Sequence, residues 1–106
     1  MSYIYKITNI INGKVYVGKT NFTPERRWKE HKWALNRTKQ SKMAIHQAML
    51  NEGIEHFQFD VIEECRESDV IQREIHWINE LNSHKEGYNL VTPRQRWYYD
   101  KYRRKS

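Results

Sequence analysis

Residues 3–20 read YIYKITNIINGKVYVGKT. Two short runs rich in tyrosine and β-branched residues, 3–9 and 14–18, flank Asn12-Gly13, a dipeptide suited to a hairpin turn. In an antiparallel pair, opposing residues share a face and their numbers sum to a constant. A two-residue loop pairs Ile11 with Lys14, and a four-residue loop pairs Asn9 with Lys14. Either register puts Tyr5 and Tyr16 on one face. With the four-residue loop, Tyr5 lies opposite Gly18 and Tyr16 is its diagonal neighbour, so glycine leaves open space beside two phenols. An unbulged three-residue loop separates the tyrosines. Phe, Leu or Val would serve a core equally well. The paired hydroxyls therefore mark either amphipathic core or surface aromatics, or a site.

Outward from the hairpin, Thr23-Pro24 reads as an N-cap followed by the first helical position, and Glu25 suits the positive helix end. This helix is expected to run to about Asn36. A second, from roughly Ser41 to Glu52, stops at Gly53. FQFDVIEE, residues 57–64, alternates as a third strand. Ser68 is expected to cap a third helix to about Leu81, and GYNLV, 87–91, to form a loop leading into a short extended piece. The order β-β-α-α-β-α predicts an α/β (α+β) fold, a small antiparallel three-stranded sheet flanked by helices. A chain of 106 residues makes one domain, here 1–92, with a basic aromatic tail, 93–106.

Charge is unevenly spread. Residues 1–42 carry ten Lys/Arg against Glu25 and Glu30, giving +8; 43–93 carry three against ten acids, −7; 94–106 carry six against Asp100, +5. These sum to the net +6. An acidic middle between basic flanks implies one positive face, suited to a polyanion, although basic runs also serve solubility. Lys14, Lys19 and Arg26 are the candidate phosphate contacts of the first half. In the tail PRQRWYYDKYRRKS, Arg94, Arg96, Arg103 and Arg104 suit phosphates, and Trp97 suits stacking on unpaired bases. The bland alternative is a terminal helix docking Trp97 with its charges solvated. No run approaches a membrane span and no apolar leader follows Met1. The single Cys65 makes no internal disulfide, and no Cys/His spacing suits structural zinc; a reducing, cytoplasmic setting fits.

Three further segments carry chemistry. In RRWKEHKW, Arg27 and His31 are four apart and project from one helix face: a fixed set of phosphate donors beside a group that moves protons near neutral pH. The alternative is a solvated basic helix with Trp28 or Trp33 turned inward. In SDVIQREIHWINELN, Val70, Glu74, Trp77 and Leu81 form a stripe widened by Ile71, Ile75 and Ile78. A carboxylate there needs either a hard cation such as Mg²⁺ or an ion pair, with Arg27 among the candidates. Asn89, after Gly87-Tyr88, offers an amide for a phosphate, a water or its own turn.

Tyr5 in YIY, Tyr16 in YVG, Arg27 and His31 in ERRWKEH, Glu74 in EIHWINELNS and Asn89 in GYN occur together and in that order. The set resembles the GIY-YIG nuclease family, in particular the catalytic domains of phage-type homing endonucleases, over residues 3 to about 91. The resemblance implies the GIY-YIG fold and hydrolysis of a DNA phosphodiester with one divalent ion per site, Mg²⁺ or Mn²⁺. It implies that Tyr5 or Tyr16, with water or His31, activates the nucleophile. Arg27 then stabilises the pentavalent phosphate, Glu74 holds the metal and Asn89 helps shape the site. Tyr3 stands where the first motif has its glycine, and YVG replaces YIG. Gln40 stands where some homing relatives carry a further histidine; His46 belongs to the next helix and is given no role. Homing relatives append a DNA-recognition domain. A chain ending at Ser106 is then a catalytic fragment, an enzyme of low sequence preference, or one targeted by a separate domain or protein. The competing expectation is a nucleic-acid-binding module of the same fold that does not cut.

Overall fold

The computed structural model describes residues 1–37 and 43–89. The hairpin forms from β1 (Ser2–Asn9) and β2 (Val15–Thr20), with Tyr5 opposite Gly18 and Ile7 opposite Tyr16. This is the four-residue loop. The Gly13 N–H donates to Asn9 O at 2.8 Å and the Asn9 N–H to Lys14 O at 2.9 Å. Asn12 Oδ1 accepts from the Lys14 N–H, closing the turn from its own side chain.

The third strand, β3 (Phe57–Cys65), pairs antiparallel with the other edge of β1, giving the sheet order β2-β1-β3. Its alternation is interrupted. Ile4 pairs with Glu63 but Tyr5 pairs with Val61, so β3 carries an extra residue, Ile62, beside Tyr5. The bulge turns Phe57 and Phe59 to the Tyr5 face, while Glu63 and Cys65 serve the opposite face. A strictly alternating strand would have put all four on one side.

Helices cover both faces. α1 (Pro24–Arg37) starts as expected: Thr23 Oγ1 accepts from the Arg26 N–H at 3.3 Å. α2 (Ala44–Glu52) follows an extended Met43 and stops where the Gly53 N–H closes on Met49 O; the expected start at Ser41 lies outside the described residues. Together they cover the face holding Tyr5, Ile7 and Phe57, and Ile45 and Met49 anchor α2 there. α3 (Val70–Glu80) covers the other face through Val70 and Ile78 against Ile4, Val17 and Cys65. Each such aliphatic side chain contributes roughly 1.5–3 kcal/mol when fully buried. Ser68 does not cap this helix. It lies inside a single 3₁₀ turn, Glu67–Asp69, and Asp69, at the N-cap position, makes no side-chain capping hydrogen bond. The Glu63 carboxylate accepts from Arg73 and from Trp77 Nε1, tying α3 to β3.

After α3 the chain returns along the free edge of β2. The Tyr88 N–H donates to Val15 O at 2.9 Å. The Asn89 amide copies a strand residue: its Oδ1 accepts from the Val17 N–H and its Nδ2 donates to Val17 O, both at 2.9 Å. Gly87 permits this approach, since a Cβ there would lie 2.3 Å from Val15 O. The β2 edge is thereby covered.

Candidate functional site

The Tyr5 phenol lies across the Cα of Gly18. A Cβ on residue 18 would stand 2.4 Å from Tyr5 Cζ and Oη and 3.0 Å from Tyr16 Cε2. The space expected beside the glycine is therefore filled by the Tyr5 ring itself. Phe59 stacks on that ring at 4.9 Å between centroids, and Trp28 packs behind Phe59 at 5.2 Å. Tyr16 sits beside Tyr5 with centroids 6.4 Å apart and stays half-buried, whereas Tyr5 has no exposed surface.

α1 brings its two candidate side chains to the buried hydroxyl. The Arg27 Nε–H donates to Tyr5 Oη at 3.1 Å, and His31 Nε2 lies 2.8 Å from the same oxygen. Tyr16 faces the edge of the His31 ring, with centroids 6.0 Å apart. Four residues separate Arg27 from His31, so one helical turn serves both. Arg27 also pairs through Nη1 with Glu30 at 3.4 Å; its acidic partner is Glu30 rather than Glu74. With its side chain 31 % exposed, it keeps Nη2 without a partner among the described residues. Behind His31, Nδ1 lies 2.9 Å from Nε2 of His46 on α2.

Burial dominates the electrostatics. It pushes the Tyr5 phenol well above its ordinary value; Tyr16 and Glu74 add to the shift and Arg27 opposes it. His31 is lowered to about 3, first by burial, then by the charge of Arg27 and by His46. Both rings are neutral near pH 7, because burial and Arg27 lower His46 as well.

Glu74 projects from the inward stripe of α3 and is 1 % exposed. Its charge is close enough to Tyr5 to raise the phenol's pKa. Among the described residues no three His, Cys, Asp or Glu side chains cluster as a metal cage. One buried carboxylate is the donor set expected for a hard ion that completes its shell with water and phosphate oxygens. Glu74 is the carboxylate that would hold such an ion.

The matched region is nearly the whole chain: the GIY-YIG catalytic domain family covers residues 1–89. The chain belongs to the GIY-YIG catalytic domain family. Over 92 residues this GIY-YIG domain is 40% identical to Intron-associated endonuclease 1 of Enterobacteria phage T4, a match covering 85% of this chain and 37% of that protein. The chain therefore spans little more than a third of that relative's length. It is similar to two structures of the catalytic domain of homing endonuclease I-TevI. Their TM-scores are 0.75 and 0.74 at 36% and 35% identity, covering 85% and 86% of this chain and 93% and 99% of theirs.

Tyr5, Tyr16, Arg27 and His31 thus share one cluster in this GIY-YIG domain. Glu74 approaches from α3, and Asn89 acts on the backbone of β2 between Tyr16 and Gly18. Of the proposed DNA contacts, Lys14 is exposed at the hairpin and Lys19 is half-buried on β2. Arg26 lies 4.1 Å over the Phe22 ring and pairs with Glu30 at 3.9 Å. Arg94, Arg96, Trp97, Arg103 and Arg104 lie outside the described residues. A groove of about 620 Å³ along the outer edge of β3 does not contain this cluster; Glu25, Glu55 and Asp60 line it and make it a poor seat for a polyanion. Sequence reasoning passed over His46. Its only signal was a polar ring beside Ile45 and Met49 on the buried stripe of α2.

Proposed function

We propose that this chain is the catalytic domain of a DNA endonuclease that hydrolyses a phosphodiester with one divalent ion, Mg²⁺ or Mn²⁺, at Glu74. The observation that carries the reading is the half-exposed Arg27. It is held through Nε by Tyr5 and through Nη1 by Glu30, and Nη2, which has no partner among the described residues, is left for a phosphoryl oxygen. Arginine in this posture stabilises charge that develops on phosphorus, which phosphoryl transfer needs more than a covalent nucleophile. Tyr16, also half-buried, stands next to it on the substrate side. Tyr5 and His31 lie behind, where the phenol accepts from Arg27 Nε–H and shares a hydrogen bond with His31 Nε2, so that the pair aims the guanidinium. A bound ion supplies neutralisation of the phosphate and of the leaving oxygen. Asn89 shapes the site by fixing β2 rather than by touching substrate.

The T4 relative is named as an intron-associated endonuclease and is more than twice as long as the match. A further domain or a separate protein is accordingly proposed to choose the DNA sequence. The basic aromatic tail, 93–106, is assigned to DNA binding on its composition.

Plasmid cleavage scored for nicked and linear products tests the reading. The wild type cuts with Mg²⁺ and not with EDTA, and Glu74→Gln loses cutting while keeping DNA binding. A wild type that binds DNA but never cuts it would make the chain a binding module. In the same preparation, removing residues 94–106 lowers affinity and flattens its salt dependence; an unchanged salt slope removes the tail from the interface.

A further inference from the structure

The hydrogen bonds at Tyr5 fix the position of each proton behind the site. Arginine only donates, so Tyr5 Oη accepts from Arg27 Nε–H. Among the described residues the hydroxyl has one other partner, His31 Nε2 at 2.8 Å. A fully buried O–H without an acceptor is strongly unfavourable, so Tyr5 donates to Nε2. His31 is neutral and holds one ring proton, which then sits on Nδ1. That N–H points at His46 Nε2, 2.9 Å away, and His46 must accept it. The contact bridges α1 and α2. It is held in place because Ile45 and Met49, flanking His46, are buried against the sheet.

We propose that His46 is a positioning residue: by accepting the Nδ1 proton of His31 it keeps His31 Nε2 bare toward Tyr5, and so sets the direction of the hydrogen bonds that run from α2 through His31 to the Tyr5 hydroxyl that holds Arg27. The opposite arrangement makes both histidines donors toward Tyr5. His31 Nε2–H and Arg27 Nε–H then both point at Oη, and the phenol proton has no acceptor among the described residues. Arg27 would then share its Oη acceptor with a second donor, and Tyr5 would lose the acceptor that satisfies its buried hydroxyl. The effect on cleavage rests on the nuclease reading; the proton placement does not.

Long-range ¹⁵N–¹H spectra of the imidazoles at pH 7.5 read the tautomer directly, in the intact chain and in His46→Gln and His46→Leu. The glutamine carbonyl can accept the proton and leucine cannot. In the wild type and in His46→Gln, His31 is protonated on Nδ1; in His46→Leu it moves to Nε2. Single-turnover cleavage with Mg²⁺ falls about 10- to 100-fold in His46→Leu at unchanged DNA affinity, and His46→Gln recovers most of the rate. A wild-type spectrum with His31 protonated on Nε2 overturns the proposal even if the leucine variant fails to fold. So does an equal loss in two folded variants, which would make His46 a packing residue. A wild type that never cuts, with spectra that shift as stated, sinks the nuclease reading and leaves the proton placement standing.

Discussion

At the scale of single residues, Gly18 and Tyr5 are one unit. The glycine removes the atom that would collide with the phenol, and the phenol fills the space and carries its hydroxyl to Arg27 and His31. Gly18→Ala forces the Tyr5 ring to move, and the ring cannot yield freely between Phe59 and His31. We expect a loss of roughly 1–3 kcal/mol of stability by urea denaturation, typical of overpacking, with a larger fractional loss of cleavage. An alanine variant as stable and as active as the wild type would mean that the phenol does not lie over residue 18.

At the scale of elements, two irregularities build the site. The bulge opposite Ile4 and Tyr5 lets β3 offer aromatics to one face and Glu63 to the other, so Tyr5 gains its stacked Phe59 while α3 gains its anchor. The loop after α3 then acts as a fourth strand of one residue, through the Asn89 amide. Asn89→Ala leaves the Val17 N–H and C=O without these partners, and Asn89→Asp sets a carboxylate against the Val17 carbonyl. Each is expected to cost about 1–3 kcal/mol and to speed hydrogen exchange at the Val17 amide. Unchanged protection of that amide in both variants would show that the Asn89 contact contributes nothing to the β2 edge.

At the scale of the molecule, burying the histidine pair couples stability to pH. His31 has a folded pKa of about 3 against an ordinary 6.5, so between these values the unfolded chain binds more protons. The stabilisation is complete above about pH 6.5 and is lost as pH falls toward 3. By pH 5 the His31 contribution alone is lower by about 2 kcal/mol, and His46 acts in the same direction. Stopping at pH 5 leaves Glu63 out of the comparison. Its hydrogen bond from Arg73 holds it below the usual carboxylate range, so its contribution is lost only at more acid pH. Urea denaturation at pH 7.5 and pH 5 checks this; a flat profile would mean that His31 is not held neutral in the fold.

The amino-acid sequence by itself determined the element order and the hairpin, and, for a two- or four-residue loop, the shared face of Tyr5 and Tyr16. These depend on local turn chemistry and on a period of two, which neighbours in the chain specify. It also determined the inward position of Glu74 and the common helix face of Arg27 and His31, because helical spacing is local as well. Tertiary structure decided the rest. It chose the four-residue hairpin loop, placed a bulge where alternation reads straight through, and replaced the expected Ser68 cap with a 3₁₀ turn. It turned Asn89 onto the backbone of β2 and joined His46 to His31 across two helices. No local pattern carries those contacts: each joins groups distant in the chain, and their partners are set by how the helices and the returning loop pack on the sheet.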